Sequence, residues 1–333
     1  MIKLPKFDGP GLQLSSYRKN AFNYLNYLIY NQKFKVEKIT KCFCSSENFH
    51  TLSFYDRFGL PFGTQICKDC GLITQTLRIH PDNLSELYDK IYWPLVDGSE
   101  IPTFVTEPKK NEKDSFILKH IKKSELITIF EIGCGSGTRI SKLKNELESK
   151  GNKVKAIACD YSDQAVTIAS KKSIQVIKGG VDEISKFGKA DILILSHVFE
   201  HMPDLKNAIQ EILKLTHDDS LVYIEVPGVL DLVNKKEYGY SYQDYNILVH
   251  TYNFSLNTLS NVLSTGGFKL VEGDEYIRAV FQKGKINKIN SSYLEIINSI
   301  TKAYERQLIL EKSIIYKLKN YIKKVLKAIL NKS

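Results

Sequence analysis

The sequence predicts an alternating α/β fold: a mostly parallel sheet covered by helices on both faces and closing with one antiparallel C-terminal strand. A small cysteine-bearing module precedes it and a helical tail follows. Three observations carry this prediction. Five short apolar runs, at 126–132, 154–159, 174–177, 191–196 and 221–226, alternate with helical patterns at 137–150, 163–171 and 204–215. Runs of this kind read as strands buried on both faces, and their alternation with helices reads as a parallel sheet. Beyond a helix at 255–265, closed by Gly266 and Gly267, two further runs at 268–272 and 276–282 are separated by a short turn, so they should pair antiparallel. Finally, four of the six cysteines fall between Cys42 and Cys70.

In chain order, residues 1–38 hold an amphipathic helix at 12–36, with Ala21, Tyr24, Leu25 and Leu28 at helical spacing. The cysteine module spans 39–80. Residues 81–114 form a linker, helical at 84–93 and turn-rich at 93–102 and 106–114. The main α/β domain covers 115–284. A basic tail covers 285–333 and is helical over 291–330. After Gln307 it has seven lysines and one acidic residue, Glu311, and Ile315, Leu318, Ile322, Val325 and Ile329 line one side. No internal repeat is visible.

Composition narrows the class. Hydrophobic residues make up 43% and charged residues 25% of 333, as in ordinary globular chains. The start, MIKLPKFDGPG, meets Pro and Gly before an apolar core can form, so it does not read as an export signal. No apolar stretch reaches the roughly 18 residues of a membrane span. A cytoplasmic protein is expected, and in that compartment clustered cysteines read as metal ligands rather than disulfides. The net charge of +10 suits an anionic partner: a nucleotide-linked substrate, a nucleic acid or an acidic membrane surface.

The strand at 126–132 runs into Glu131-Ile-Gly133-Cys-Gly135-Ser-Gly137 and then a helix. Glycines permit a sharp turn and close approach of backbone to ligand. The helix start then offers free N–H groups and the positive end of its dipole. A dinucleotide fingerprint would be G-x-G-x-x-G, but Thr138 stands at its third glycine. The actual spacing, G-x-G-x-G after an acidic residue, resembles motif I of the class I S-adenosylmethionine-dependent methyltransferases. Asp160, ending the second strand, is placed to accept both ribose hydroxyls of such a cofactor. Cys134 and Cys159 read as small buried side chains beside strands.

The resemblance extends over about 115–284 and implies a Rossmann-like sheet that binds S-adenosylmethionine. It places Val181 against the adenine, Asp182 on its amino group, and Ser196 and His197 at the methionine end. The stretch HVFEHMPDL (197–205) resembles a run common in small-molecule methyltransferases, in which His201 points at the acceptor. A histidine there is suited to taking a proton from an attacking hydroxyl. Residues 227–256 hold five tyrosines, Tyr238, Tyr240, Tyr242, Tyr245 and Tyr252, fit to wall an acceptor site.

A narrower resemblance is to zinc-containing methyltransferases acting on nucleotide-linked sugars. That group has a His-Glu-His run; here only the last position is kept, as His250, with Leu248 and Val249 at the other two. His201, His250 and Tyr252 are thus the candidate catalytic residues. In the module, Cys67-x2-Cys70-Gly71 is a zinc-knuckle spacing, and Cys42-x-Cys44 supplies the other pair, with His50 as a possible substitute ligand. Four thiolates close a tetrahedral Zn²⁺ site, so a structural role is expected. The module also resembles the zinc-binding domain that precedes methyltransferase domains in polysaccharide gene products.

The sequence therefore predicts methyl transfer to a sugar, nucleotide-sugar or glycan, on oxygen or carbon. Two alternatives compete. An RNA methyltransferase would grip RNA with the module and tail, although the fourth strand lacks the Pro-Pro-aromatic signature used on exocyclic amines. A non-catalytic scaffold would keep only the fold. No DNA partner is expected. The tail at 308–330, with Lys317, Lys319, Lys323, Lys324 and Lys327, reads as an anionic-membrane or partner-helix element, possible at the inner membrane face.

Overall fold

The computed structural model describes residues 14–96, 98, 115–121, 124–286, 290–313, 315 and 317–322. The turn-rich stretch expected at 106–114 lies outside them. Helix α1 (Ser16–Tyr30) starts where the Ser15 hydroxyl accepts from the Arg18 amide, and buries Ala21, Leu25 and Leu28. It is shorter than expected because Asn31 ends it and Gln32 takes a left-handed conformation. Tyr24 stays on its outer side.

The module is built of short strands. β1 (Val36–Lys38) pairs with β5 (Leu77–Ile79), while β2 (Phe49–Ser53), β3 (Thr64–Cys67) and β4 (Ile73–Gln75) form an antiparallel meander. Residues 81–96 are helical, a few residues further than expected at each end, with one wide turn at Tyr88–Tyr92. Leu87, Ile91 and Leu95 from this segment pack on Leu25 and Leu28 of α1.

The main sheet consists of β6 (Leu126–Ile132), β7 (Lys153–Asp160), β8 (Gln175–Lys178), β9 (Ala190–Ser196), β10 (Thr216–Glu225), β12 (Phe268–Gly273) and β13 (Arg278–Lys283), in the order β12-β13-β10-β9-β6-β7-β8. β13 runs antiparallel to both neighbours; every other pair is parallel. This is the sheet the sequence predicts. β9 shows why its strands read as unbroken apolar runs: Ile192, Leu193, Ile194 and Leu195 are all buried, so both faces are covered.

The covering helices are α2 (Thr138–Ser149), α3 (Asp163–Ala169), α4 (Leu205–Leu215) and α5 (Leu256–Ser264). Asp204 caps α4 by accepting from the amides of Lys206 and Asn207, a contribution of about 1 kcal/mol. The helix then buries Leu205, Ile209, Ile212 and Leu215, each worth roughly 1.5–3 kcal/mol. Successive strands leave β6 in opposite directions, β7 and β8 to one side and β9 and β10 to the other. A crevice opens at such a switch point beyond the carboxyl ends of the strands.

Module and sheet interlock. β11 (Tyr252–Asn253) leaves the main domain and adds to the edge of β4, pairing Tyr252 with Thr74. Helix α6 (Tyr293–Lys312) buries Ile296, Ile297, Ile300 and Ala303 against Leu52, Ile66 and Ile73 of the module. The tail helix expected over 291–330 is interrupted at Ser313, whose ψ of 134° is extended. Helix resumes beyond it, through 317–322. Val325 and Ile329 lie outside the described residues.

Candidate active site

The loop after β6 needs its glycines. Gly133, Gly135 and Gly137 have φ of 65°, 52° and 67°, the left-handed region that side chains disfavour. A Cβ on Gly133 would stand 2.5 Å from Val198 Cγ2, and one on Gly137 would stand 2.9 Å from Ala169 and Ile174. The loop is held by Asp160: its carboxylate accepts from the Gly135 amide at 2.9 Å and from the Ser162 amide at 2.9 Å. Burial pushes Asp160 above the usual carboxylate range, against these hydrogen bonds. Its remaining lone pairs can take ligand hydroxyls.

Glu131 is buried and accepts from the Ile140 amide in the first turn of α2. Next to it lies a group that sequence reasoning missed. Glu225, at the end of β10, is fully buried, and its Oε2 sits 2.6 Å from Arg139 Nη2. The same oxygen accepts from Ser196 Oγ at 3.3 Å and Tyr223 Oη at 3.3 Å. The His197 amide donates to the Glu225 carbonyl at 2.7 Å, and His197 itself is left-handed, with φ 56°. Ser196 and His197 are thus fixed beside the glycine loop by β10. The only signal for Glu225 in the sequence was an acidic residue closing an otherwise apolar strand.

The adenine-side residues are less uniform. Val181 is buried at the start of a helical turn (Val181–Ile184). Asp182 faces solvent, with 86% of its side chain exposed, and pairs with Lys214 Nζ at 2.8 Å. Tyr161, adjacent to Asp160 and unremarked in the sequence, lies against Gly180: a Cβ there would come within 2.2 Å of the Tyr161 hydroxyl.

In the turn after β9, the structure brings His201 next to His250, with ring centroids 4.9 Å apart. His201 Nδ1 donates to the Val249 carbonyl at 3.1 Å and lies 3.1 Å from the Tyr88 hydroxyl. This leaves Nε2 as the free lone pair of the neutral ring. Nε2 faces Glu200 Oε1 at 3.7 Å, and His197 Nδ1 approaches the same oxygen to 3.6 Å. Glu200 is 1% exposed, and among the described residues neither carboxylate oxygen has a hydrogen-bond partner; nor does His250 Nδ1.

Burial pushes both imidazoles down, His250 to about 3, with Glu200 opposing the shift. Burial equally resists charge on Glu200, yet His201, His197 and His250 outweigh it and hold the carboxyl at about 2. Glu200 was legible only as the acidic residue between two histidines in HVFEH.

Tyr252 is not part of this group. Its hydroxyl donates to the Pro203 carbonyl, burial raises it to about 12, and its ring shares an apolar cluster with Cys42 and Cys67. The other tyrosines mostly brace the segment. Tyr242 meets the Thr64 hydroxyl at 2.8 Å and Tyr245 donates to the Pro227 carbonyl at 2.7 Å. The module also pins the His250 loop, through the Leu248 amide on Asp56 and Gln75 Nε2 on the Leu248 carbonyl.

The four module cysteines converge. Their sulfurs all lie within 4.8 Å of one another, with Cys42–Cys70 and Cys44–Cys67 each at 3.6 Å. Four thiolates 2.3 Å from a common zinc would be about 3.8 Å apart, so this donor set fits. The turn is a knuckle: the Gly71 amide donates to the Cys67 carbonyl and the Leu72 amide to Cys70 Sγ. His50, the alternative ligand, instead meets the Tyr293 hydroxyl at 3.0 Å.

Residues 103–272 match the protein family described as "Methyltransferase domain". Among curated proteins, C-methyltransferase NovU from Streptomyces niveus is 20% identical over 218 residues, covering 64% of this chain. The match takes in 47% of NovU, so the chain spans about half the length of that relative. Among solved structures, the plantazolicin methyltransferase BpumL, in complex with a triazolic desmethylPZN analogue and SAH, is 18% identical with a TM-score of 0.40. That match covers 63% of this chain and 81% of BpumL. LepI in complex with SAM is 15% identical with a TM-score of 0.41, covering 54% of this chain and 50% of LepI.

Proposed function

This chain belongs to the methyltransferase-domain family, and on that premise we propose that it moves the methyl group of S-adenosylmethionine to a hydroxyl of a sugar, nucleotide-linked sugar or glycan. The observation that carries the proposal is that two clusters lie at the ends of neighbouring strands, with His197 near Glu225 of one and Glu200 of the other. The glycine loop with Asp160 receives the cofactor, and His201 with His250 faces the acceptor. His201 activates the acceptor. Methyl transfer is a direct displacement at the sulfonium carbon, so alignment of the two reactants supplies much of the rate. A hydroxyl acceptor is favoured because Leu248 and Val249, at the two missing positions of the His-Glu-His run, are buried apolar side chains. They offer nothing to form or steady a carbanion. Mass-shift assays with S-adenosylmethionine and a panel of nucleotide-sugars and glycans test the reading. Cofactor binding without methylation of any carbohydrate would overturn it.

Cofactor affinity should depend on the loop and its carboxylate. Gly135→Val puts a branched side chain on a left-handed backbone facing the cofactor, and Asp160→Ala removes a charged acceptor worth about 1.5–3 kcal/mol. Calorimetry with S-adenosylhomocysteine should show roughly tenfold or greater weakening in each. Wild-type affinity in both variants would refute the assignment of the loop.

The tail is proposed to lean on an anionic membrane surface. Ile315, Leu318 and Ile322 are 71%, 58% and 49% exposed beside Lys317 and Lys319. Each lysine near such a surface adds about 1 kcal/mol, screened by salt. Among the described residues, no helix is long and apolar enough to cross a membrane. Full-length protein should sediment with anionic liposomes at low salt and release at high salt. If it ignores them, while removal of 308–333 changes its oligomeric mass, the tail is an assembly helix instead.

A further inference from the structure

We infer that Glu200, His201 and His250 form a binding site for a divalent transition-metal cation on the acceptor side of β9, separate from the cysteine module. One carboxylate oxygen and one ring nitrogen from each histidine lie within 4.8 Å of one another. Two imidazoles and a carboxylate are a recurrent ligand set for divalent first-row metals. The arrangement around them is also that of a ligand site. His201 gives its Nδ1–H to the Val249 carbonyl, which aims the Nε2 lone pair at Glu200. A backbone carbonyl in that position is the usual outer support of a metal-bound histidine.

The unsatisfied atoms point the same way. Among the described residues Glu200, 1% exposed, has no hydrogen-bond partner on either oxygen, and buried His250 Nδ1 has none. A buried carboxylate without a donor or cation is costly. A dication held by all three would partner one oxygen of Glu200 and one nitrogen of each imidazole at once. Ligand atoms around one such ion stand about 3.4 Å apart, so binding draws the side chains inward by about an ångström. Among the described residues three protein ligands converge, which leaves positions open for the acceptor's hydroxyl.

This rests on the methyl-transfer reading for its purpose but not for its existence: His201 would activate the acceptor through the ion, by binding and polarising its oxygen. Co²⁺ is a suitable probe. Full-length protein as purified, saturated with S-adenosylhomocysteine and with no acceptor present, is titrated with Co²⁺. Binding of one equivalent is expected, with weak visible bands, paramagnetically shifted imidazole protons and none of the sulfur-to-cobalt charge transfer that thiolates give. Glu200→Gln and His250→Asn should each weaken it at least tenfold, a loss that even outer-shell partners produce. S-adenosylhomocysteine affinity reports that each variant is folded, and the shifted imidazole protons of the wild type require no variant at all. Absence of any cobalt uptake outside the cysteines, or variants that bind it as tightly as wild type, overturns the site. Because no acceptor is used, a protein that binds cobalt here yet methylates no carbohydrate would sink the proposed function and leave the site standing.

Discussion

His201→Ala is expected to lower turnover by about 10²–10⁴-fold while leaving affinity for S-adenosylhomocysteine unchanged, the size of effect seen when an acid–base group or a metal's hold on the substrate is removed. The separation follows from geometry. The proposed cofactor half-site is tied together by hydrogen bonds of Gly135 to Asp160 and of Ser196 to Glu225. His201 hangs instead between the Val249 carbonyl, the Tyr88 hydroxyl and the edge of His250. Its loss leaves a hole among aromatic rings, so some stability should go with it. His201→Gln separates the two effects: its amide can still donate to Val249, but it offers no basic nitrogen. Stability should recover in that variant and turnover should not. Steady-state kinetics beside thermal melts decide this. A His201→Ala enzyme with near-normal turnover would move the acceptor chemistry to His250.

The sequence revealed most where one period dominates. β6, β7, β9 and β10 are buried on both faces, so their apolar runs are unambiguous, and the glycine loop is marked by residues that a left-handed backbone requires. Long-range partners were not legible. Glu225 and Glu200 are acidic residues inside apolar or histidine-bearing runs, and only the fold shows that Arg139 reaches the first and that the second lies between three imidazoles. Tyr252 read as a wall of the acceptor site because it is aromatic and follows β10. In the fold it belongs to β11, and pairing with Thr74 turns it toward the cysteines. The tail break was hidden as well: Ser313 is not a strong helix breaker, and the apolar spacing runs straight through it. The helix before the break has module and acceptor segment to pack on; the apolar residues beyond it are exposed.

Replacing Cys67 and Cys70 together by serine is expected to remove one zinc per chain and to unfold the module, while cofactor binding persists and methyl transfer is lost. Zinc held by four thiolates contributes about 10–16 kcal/mol to folding in small zinc modules, as much as the whole stability of many domains. Here that energy has few substitutes. β2, β3 and β4 are three to five residues each, and an isolated meander of that size is marginal at best. Cys67 is itself fully buried among Tyr252 and Phe254, so a hydrated serine pair disturbs the seam between module and sheet as well as the metal. The consequences divide by contact. The glycine loop sits on β6 and α2 and is held by Asp160, so S-adenosylhomocysteine should still bind. The His250 loop is fastened to Asp56 and Gln75, so its imidazole should lose its place beside His201. Metal analysis, hydrogen exchange across 39–80 and calorimetry with the cofactor product distinguish these parts. A wild-type protein that is free of zinc and yet protected from exchange throughout the module would refute the structural role of the metal. A double variant that keeps full methyl-transfer activity would refute the dependence of His250 on the module.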